Sequence, residues 1–329
     1  MFSAVSNYFS SLADRFGGAW NRFWFTPSDP YPLSILRVLT GIFALYLHAT
    51  YTFDLHRFFA ADGLLPVETI AQWQRAGGQS FVASYWYYVT DSRALWAVHI
   101  AGLLVLGLYT IGFLTRVTSV LALVVTLSYT HRAAVLTSDV EPILAMLQFY
   151  LCLAPAGAYL SVDRLLKTRR AGASSGASPT VGPSVAATIA TRLIQVHLSA
   201  IYLMMALAKL GPVVVVSQEF DFVDQPWWSG IAVWQLMSRP ESRLADLTGW
   251  FNGDSIGPQL YALNAWTHAI VLFELAFGLF IWNRTARPLL LTLSVVMWVS
   301  LAVILGDAAF CGIMLIAGLA FAAGLRVEG

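Results

Sequence analysis

The sequence has little charge, because Asp, Glu, Lys and Arg make up only 11% of its 329 residues, whereas soluble domains contain roughly 25%. Together with a hydrophobic content of 58%, this scarcity excludes an ordinary soluble protein. Only two cysteines occur, Cys152 and Cys311, and both lie in apolar segments. A disulfide framework is therefore improbable, and buried thiols are the better interpretation. The first thirty residues do not resemble a cleavable signal peptide.

The common chemical motifs are also missing. The sequence contains no HxxxH, HExxH or CxxC spacing, which disfavours a bound metal. It has no Walker A loop or dinucleotide fingerprint, so nucleotide-dependent classes lack support. No repeat links the two halves of the chain, which disfavours an inverted-repeat transporter. We expect neither a metal nor a nucleic-acid partner.

Apolar stretches near the ~20 residues needed to cross a bilayer recur along most of the chain. Lipid tolerates only helices or closed barrels, and no pattern of alternating strands competes. We therefore predict an all-α integral membrane protein, a polytopic bundle of about eight transmembrane helices with additional interfacial amphipathic helices. The predicted spans are 32–53, 94–114, 117–131, 142–158, 184–210, 257–282, 287–305 and 308–325.

The chain divides by composition into four parts. Residues 1–30 mix aromatic and charged side chains, which predicts an amphipathic interfacial segment. Residues 31–167 form a first transmembrane half, 168–183 a flexible cytoplasmic linker, and 184–329 a second half that carries Lys209. The excess of basic residues on one side, chiefly at 164–170, places both termini in the cytoplasm by the positive-inside rule.

Ionisable residues in membrane segments are costly and therefore candidates for function. On the predicted topology several of them gather at the outer face, and those assigned to catalysis are Lys209, His131, Glu141, His268 and Asp307.

Most of these candidates have an ordinary structural alternative. His99 could be an interfacial side chain that reaches lipid headgroups, and His131 could simply end a helix. Glu141 precedes Pro142, a helix-start position where an acid is favoured by the helix dipole. His268 and Glu274 are six residues apart on one apolar helix, so they do not share a face, and a metal site from this pair alone is disfavoured.

Lys209, near the end of the stretch "YLMMALAKL" (202–210), presents the sharpest choice. A lysine at this depth loses hydration, which favours a neutral amine able to act as a general base or nucleophile. The alternative is a lysine that extends from a helix end toward the interface. The residues alone leave both interpretations open.

Five stretches resemble, in the same order, one known membrane family. They are "FFAADGLLP" (58–66), "YLSVDRLLK" (159–167), "YLMMALAKL" (202–210), "WWSGIAVWQLM" (227–237) and "HAIVLFELAFGLFIWNRTAR" (268–287). Together they are similar to the horizontally transferred transmembrane (HTTM) domain, the membrane portion of vitamin K-dependent gamma-carboxylase. The resemblance covers residues 20–326.

The resemblance implies a role for Lys209, which matches the family's catalytic base toward reduced vitamin K. In that family, the chemistry with oxygen then generates a strong base, so that carbon dioxide can add to a substrate glutamate. Reduced vitamin K or another quinone is the implied cofactor. We assign its binding to a set of mostly aromatic residues, Trp227, Trp228, Trp234, His99 and Trp298.

The chain departs from the carboxylase pattern at several points. We expect no large extracytoplasmic domain after Gly329, and that domain takes part in engaging the protein substrate. One expected histidine falls on Val140 or Glu141, depending on the alignment, and another falls on Trp298. The stretch 211–226 inserts extra residues between the lysine and the tryptophans.

In length, the chain resembles short bacterial members of the family, including the membrane protein of sporulation-delaying toxin systems. This likeness predicts a protein of the bacterial cytoplasmic membrane that acts on a quinone-like molecule at the extracytoplasmic side, in peptide modification or toxin maturation. Its expected partners are membrane lipids and a peptide or protein substrate. The alternative is a non-catalytic membrane accessory or chaperone protein that binds a peptide, a lipid or a partner protein.

Overall fold

The computed structural model describes residues 2–77, 84–175, 180–211, 226–237 and 258–322, and side chains within most of these ranges. Apart from an isolated bridge between Ser28 and Ser184, the regular structure in these ranges is helical. The α-helices are α1 (Phe2–Phe25), α2 (Tyr31–Thr50), α3 (Leu55–Phe59), α4 (Val67–Ala76), α5 (Ser92–Ile111), α6 (Thr115–Arg132), α7 (Val140–Leu153), α8 (Val162–Ser175), α9 (Val185–Leu210), α10 (Pro226–Ser229), α11 (Ala232–Met237), α12 (Pro258–Phe280), α13 (Ala286–Leu305) and α14 (Ala308–Ala322). Short 3₁₀ turns cover Tyr51–Asp54 and Tyr85–Tyr88.

Among the described residues, five helical segments are long and apolar enough to cross a membrane: Tyr31–Phe59, Ser92–Ile111, Val185–Leu210, Tyr261–Phe280 and Ala286–Leu305. The predicted all-α, membrane-type fold is confirmed at this level. The other three predicted spans are too short or too polar to cross a membrane by the same measures of length and composition. Helices α7 and α14 are apolar but have only 14 and 15 residues, and α6 has 18 residues but is rich in serine and threonine. Eight spans are therefore not supported by length and composition.

The chain separates into two compact units, residues 1–194 and 195–329, with the boundary inside α9. In unit 1, helix α2 packs against α5 and α7, and α6 packs against α5 and α7, so that the four helices form a closed ring. Helix α8 continues through residues 168–175 of the predicted linker, and residues 176–179 lie outside the described ranges.

The first helix exposes aromatic side chains. Phe16 and Trp20 have exposed fractions of 67% and 52%, and Phe23 near the helix end packs under the Arg192 guanidinium at 4.5 Å. An amphipathic helix with such a face is suited to a bilayer surface. The interfacial position of residues 1–30 stays a prediction.

A buried arginine joins α2 to the loops that end α5 and precede α8. Arg37 is fully buried and donates hydrogen bonds to Tyr109 O at 3.0 Å and to Leu160 O at 2.5 Å. Gly112, which ends α5, has φ +71°, and a Cβ there would collide with the Arg37 guanidinium and lie 2.5 Å from Ser161 Cβ. Glycine is required here for its backbone conformation and for space.

Asp163 forms a cap on α6 from a distant part of the chain. Its carboxylate accepts hydrogen bonds from Leu114 N at 2.8 Å and from Thr115 N and Oγ1 at 2.7 Å. Burial alone would raise the pKa of the Asp163 carboxyl, but these hydrogen bonds and the charge of Lys167 outweigh it, and the pKa lies below its ordinary value.

This cap predicts acid sensitivity. A depressed folded-state pKa stabilises the fold above the unfolded value of about 4, and that contribution is lost as the pH falls through the folded pKa. We expect the melting temperature of wild-type protein in detergent to fall more steeply below about pH 4 than that of Asp163→Asn. At pH 7 the variant should be less stable by about 1 kcal/mol. Parallel melting curves for the two proteins across this pH range would contradict the assignment.

A second buried arginine, Arg132 at the end of α6, binds the loop formed by "FFAADGLLP" (58–66). Its Nη2 donates to Ala60 O at 3.2 Å and to Leu65 O at 2.7 Å. Gly63 lies where a Cβ would be 2.6 Å from Arg57 O. Arg132 therefore has a structural role, since it holds the loop of this motif through the backbone oxygens of Ala60 and Leu65.

In unit 2, α13 packs against α12 and α14, and the short helices α10 and α11 pack on α12. Helices α9 and α12 approach closely at Gly278, where a Cβ would lie 2.5 Å from Leu203 Cγ. This close approach brings the last turns of α9 against the middle of α12, where its one acidic residue lies.

Candidate functional site

The candidate site is centred on a buried ion pair between α9 and α12. Lys209, one residue before the end of α9, donates from Nζ to Glu274 Oε1 at 2.5 Å. The Glu274 side chain is 1% exposed and that of Lys209 is 17% exposed. The second carboxylate oxygen, Oε2, is buried and has no hydrogen-bond partner among the described residues. A buried carboxylate with one open lone-pair position is unusual and is a candidate for proton transfer or ligand binding.

Trp227 covers the amine from α10. The Lys209 Nζ lies 5.0 Å from the centroid of the Trp227 ring, within the range of a cation–π contact. The neighbouring Trp228 donates from its indole N–H to Leu210 O at 3.4 Å. The "WWSG" segment therefore contacts the end of α9 through both tryptophans.

His268 holds the same segment from α12. Its Nε2 lies 3.1 Å from Trp228 O, and its Nδ1 lies 2.8 Å from Asn264 O. Gly230, with φ +81°, allows the segment to approach so closely that a Cβ there would be 3.0 Å from His268 Cε1. His268 thus contacts the backbone that carries the tryptophans, and its described bonds are to carbonyl oxygens. Its role in this geometry is to position the tryptophans.

Trp298 belongs to a buried polar group next to the aromatic side chains of α12. Its indole N–H donates to Tyr202 Oη at 2.7 Å, and Tyr202 Oη is 3.4 Å from Ser294 Oγ. The Tyr202 ring stacks on Phe277 at 3.9 Å. Both Tyr202 and Trp298 are almost fully buried. Trp298 was assigned to cofactor binding, but its indole N–H donates to a side chain of the protein, Tyr202.

Two further predicted residues of unit 2 lie at the surface. Asp307 is exposed, and its Oδ1 accepts a hydrogen bond from Phe310 N at 3.2 Å at the start of α14. This contact is a helix cap. Trp234 on α11 is 41% exposed.

The other predicted site residues lie in unit 1 and have partners of their own there. His99 is fully buried and binds Tyr129 Oη through Nδ1 at 2.5 Å. Glu141 accepts hydrogen bonds from Tyr51 Oη at 3.1 Å and from Ser138 N at 2.8 Å, the second of which is half of a capping box at the start of α7. The backbone oxygen of half-buried His131 accepts from Tyr87 Oη at 3.3 Å.

Two residues central to this site were not among the predicted ones. Glu274 was considered only as a metal ligand with His268, and Tyr202 was not considered. A carboxylate in the middle of an apolar helix was the available signal for Glu274, since such a residue is costly unless it has a partner. The sequence carries no comparable signal for Tyr202, because tyrosine is common in membrane helices.

Comparisons of this chain with models of protein families, with curated proteins and with solved structures find no match.

Proposed function

We propose that this protein is an integral-membrane enzyme, similar to the gamma-carboxylase membrane domain, in which Lys209 and Glu274 form the proton-transfer site. The observation that carries the proposal is the ion pair itself, which is buried and leaves Glu274 Oε2 without a partner among the described residues. Such a pair is expensive to maintain in a low-dielectric interior. A catalytic role would account for its presence.

The chemistry follows from the two side chains. Transfer of a proton from Lys209 Nζ to Glu274 Oε1 converts the ion pair into a neutral amine and a carboxylic acid. The amine then accepts a proton from an acidic O–H, and the resulting ammonium group faces the oxygen that has lost its proton. Glu274 thereby makes Lys209 available as a base at neutral pH.

The surroundings of the pair fit a lipid-soluble aromatic substrate. A reduced quinone supplies an ionisable phenolic O–H when bound. Trp227 offers an aromatic face beside the amine, and Tyr202, Phe273 and Phe277 form an aromatic cluster beside Glu274 on α9 and α12. Glu274 Oε2 provides a buried acceptor for a hydroxyl group. Apolar walls with a few polar groups are typical of sites for small apolar molecules.

Extraction of the purified protein tests the substrate class. Lipid extracts of wild-type protein should contain a quinone, detected by mass spectrometry, above the amount carried by an unrelated membrane protein from the same cells. We expect Glu274→Gln to retain less of it, because a neutral amide oxygen accepts a weaker hydrogen bond from the phenolic O–H than a carboxylate does. Recovery of a different lipid at a stoichiometric level would contradict the quinone assignment.

We further propose the predicted membrane arrangement, a bacterial cytoplasmic membrane protein with both termini inside and with the shorter helices α6, α7 and α14 packed within the bilayer. The exposed Lys167 on α8 then faces the cytoplasm. In a background with Cys152→Ala and Cys311→Ala, a membrane-impermeant maleimide added to intact cells should not label Lys167→Cys. It should label the same variant in inverted vesicles, and the opposite pattern would reverse the topology.

A non-catalytic accessory role is the second candidate, and one observation favours it. Trp228 and Trp234 on α10 and α11 are 46% and 41% exposed, and exposed tryptophans are typical of contact surfaces. This candidate predicts that Trp228→Ala and Trp234→Ala impair the phenotype of cells that depend on this protein more than Lys209→Met does. The enzyme candidate predicts the reverse order.

A further inference from the structure

The four helices of the ring in unit 1 bury many polar side chains among their apolar ones. The buried face of α2 carries Arg37, Thr40, Ala44 and His48. The facing helices contribute His99 and Tyr109 from α5, Ser119, Thr126 and Tyr129 from α6, and Glu141 and Gln148 from α7, and all of them are buried. An ordinary helical bundle would fill these positions with apolar side chains.

Several of these groups have no hydrogen-bond partner among the described residues. They are Thr40 Oγ1, His48 Nε2, Tyr109 Oη, Thr126 Oγ1 and both amide atoms of Gln148. Each side chain belongs to a residue that is at most 1% exposed. Buried polar groups are bonded in roughly 90% or more of cases, because a group without a partner loses the hydrogen bonds that it makes with water in the unfolded chain. A dry core with this many orphans would be strongly destabilised.

The orphaned groups follow one another along the bundle. Tyr51 and Glu141, joined by a hydrogen bond, mark one end of the ring, and Arg37 with its bond to Tyr109 O marks the other. The depth of each group can be counted from the helix end nearest Glu141, at about 1.5 Å per residue. In this order the groups are His48, Thr126, Gln148 and Thr40, and neighbouring depths differ by roughly one helical turn or less. An interval of this length is within the reach of one or two bridging water molecules.

The chemistry of the groups suits water. His48 Nδ1 donates to Ala44 O at 2.8 Å, so its neutral ring presents Nε2 as an acceptor. Gln148 offers two donors and an acceptor, and each hydroxyl offers one donor and accepts. Both acceptors and donors are therefore available among these neutral side chains. At the far end, the charge of Arg37 lies within electrostatic range of Asp163.

We propose that unit 1 encloses a file of water molecules that conducts protons between its Glu141 end and its Arg37 end, separately from the Lys209 site. Protons move along the file by exchange between neighbouring water molecules and the hydroxyl, amide and imidazole groups. The buried titratable or charged residues of the four helices are His48, His99, Tyr109, Tyr129, Glu141, Arg37 and Arg132. The file carries charge, so net flux requires a compensating ion movement elsewhere in the membrane.

Reconstituted vesicles test this proposal. The full-length protein is placed in liposomes that contain a pH-sensitive dye, and a potassium gradient with valinomycin drives proton entry. Wild-type protein should acidify the lumen faster than protein-free liposomes do. The variants Gln148→Met, Thr40→Val and Thr126→Val remove the orphaned groups at nearly constant volume, and each should lower the flux toward the protein-free level.

Matched controls come from unit 2. Gln195 is buried and bonded to Ala320 O at 2.8 Å, and Thr267 is buried and bonded to Leu263 O at 3.0 Å. Gln195→Met and Thr267→Val should leave the flux at the wild-type level. The melting temperature gives an independent reading of the unit 1 variants.

Two results would overturn the proposal. The first is a wild-type flux no greater than that of protein-free liposomes. The second is an unchanged flux in all three unit 1 variants, whatever their melting temperatures. Raised melting temperatures would show in addition that the core is dry, since removal of unsatisfied groups from a dry core stabilises it. Reduced flux in variants that still melt cooperatively would support it.

Discussion

Replacement of Lys209 by methionine should lower the free energy of unfolding by about 3–5 kcal/mol, because the change leaves the Glu274 carboxylate buried and unpaired. The side chain of Glu274 is 1% exposed, so water cannot readily replace the ammonium group. Denaturant unfolding in detergent measures the loss. The same variant should lose the enzymatic activity altogether, since it lacks the amine.

The double variant separates the two effects. Lys209→Met combined with Glu274→Leu should recover most of the lost stability, because an apolar pair of similar size fills the site without a buried charge. Its activity should remain absent. Lys167→Met is the matched control, since Lys167 is the other lysine of the chain and is exposed. It should leave the activity unchanged and lower the stability by less than about 1 kcal/mol, through the loss of its charge near Asp163. Equal stability of the single variant and the double variant would contradict a coupled pair.

Gly112→Ala should lower the free energy of unfolding by about 2–5 kcal/mol, from the left-handed backbone and from the collision with Arg37 and Ser161. Gly107 in the same helix has no atom within 4 Å of an added Cβ. Gly107→Ala should therefore raise the stability by about 0.5–1 kcal/mol. The two substitutions are chemically identical, and their effects have opposite signs.

Unfolding by denaturant in detergent, analysed as a two-state transition, measures the stability of both variants against that of wild-type protein. The comparison tests the joint formed by Arg37, Gly112 and Asp163, which sets the end of α5 and the start of α6. Equal effects of the two alanine substitutions would mean that this joint is not formed as described.

The helical, membrane-type fold was predictable because long apolar runs leave the backbone few alternatives in lipid. The number of spans was less predictable. Helix α6 contains buried polar residues, which lower its hydropathy. Helices α7 and α14 are apolar, but each is too short to count by itself as a membrane span. Apolar length reports contact with lipid, and it does not report burial against other helices.

The candidate site was predictable in part. Lys209 stands out because a lysine near the end of an apolar helix is rare, and the structure gives it a buried partner. Glu274, 65 positions away, required knowledge of how α9 and α12 pack, and that packing depends on Gly278. His99 and Glu141, predicted as site residues from their depth, are bonded to Tyr129 and Tyr51, which no local pattern indicates.

The most direct measurement of the central proposal is the absorbance spectrum of vitamin K hydroquinone mixed anaerobically with the purified protein at neutral pH. Wild-type protein should produce the spectrum of the deprotonated hydroquinone, as should Lys167→Met, whereas Lys209→Met and Glu274→Gln should leave the spectrum of the protonated form. Folding of each variant is checked by its melting curve. A wild-type spectrum identical to that of free hydroquinone, or a deprotonated spectrum that persists in Lys209→Met, would contradict the assignment of this pair as the proton-transfer site.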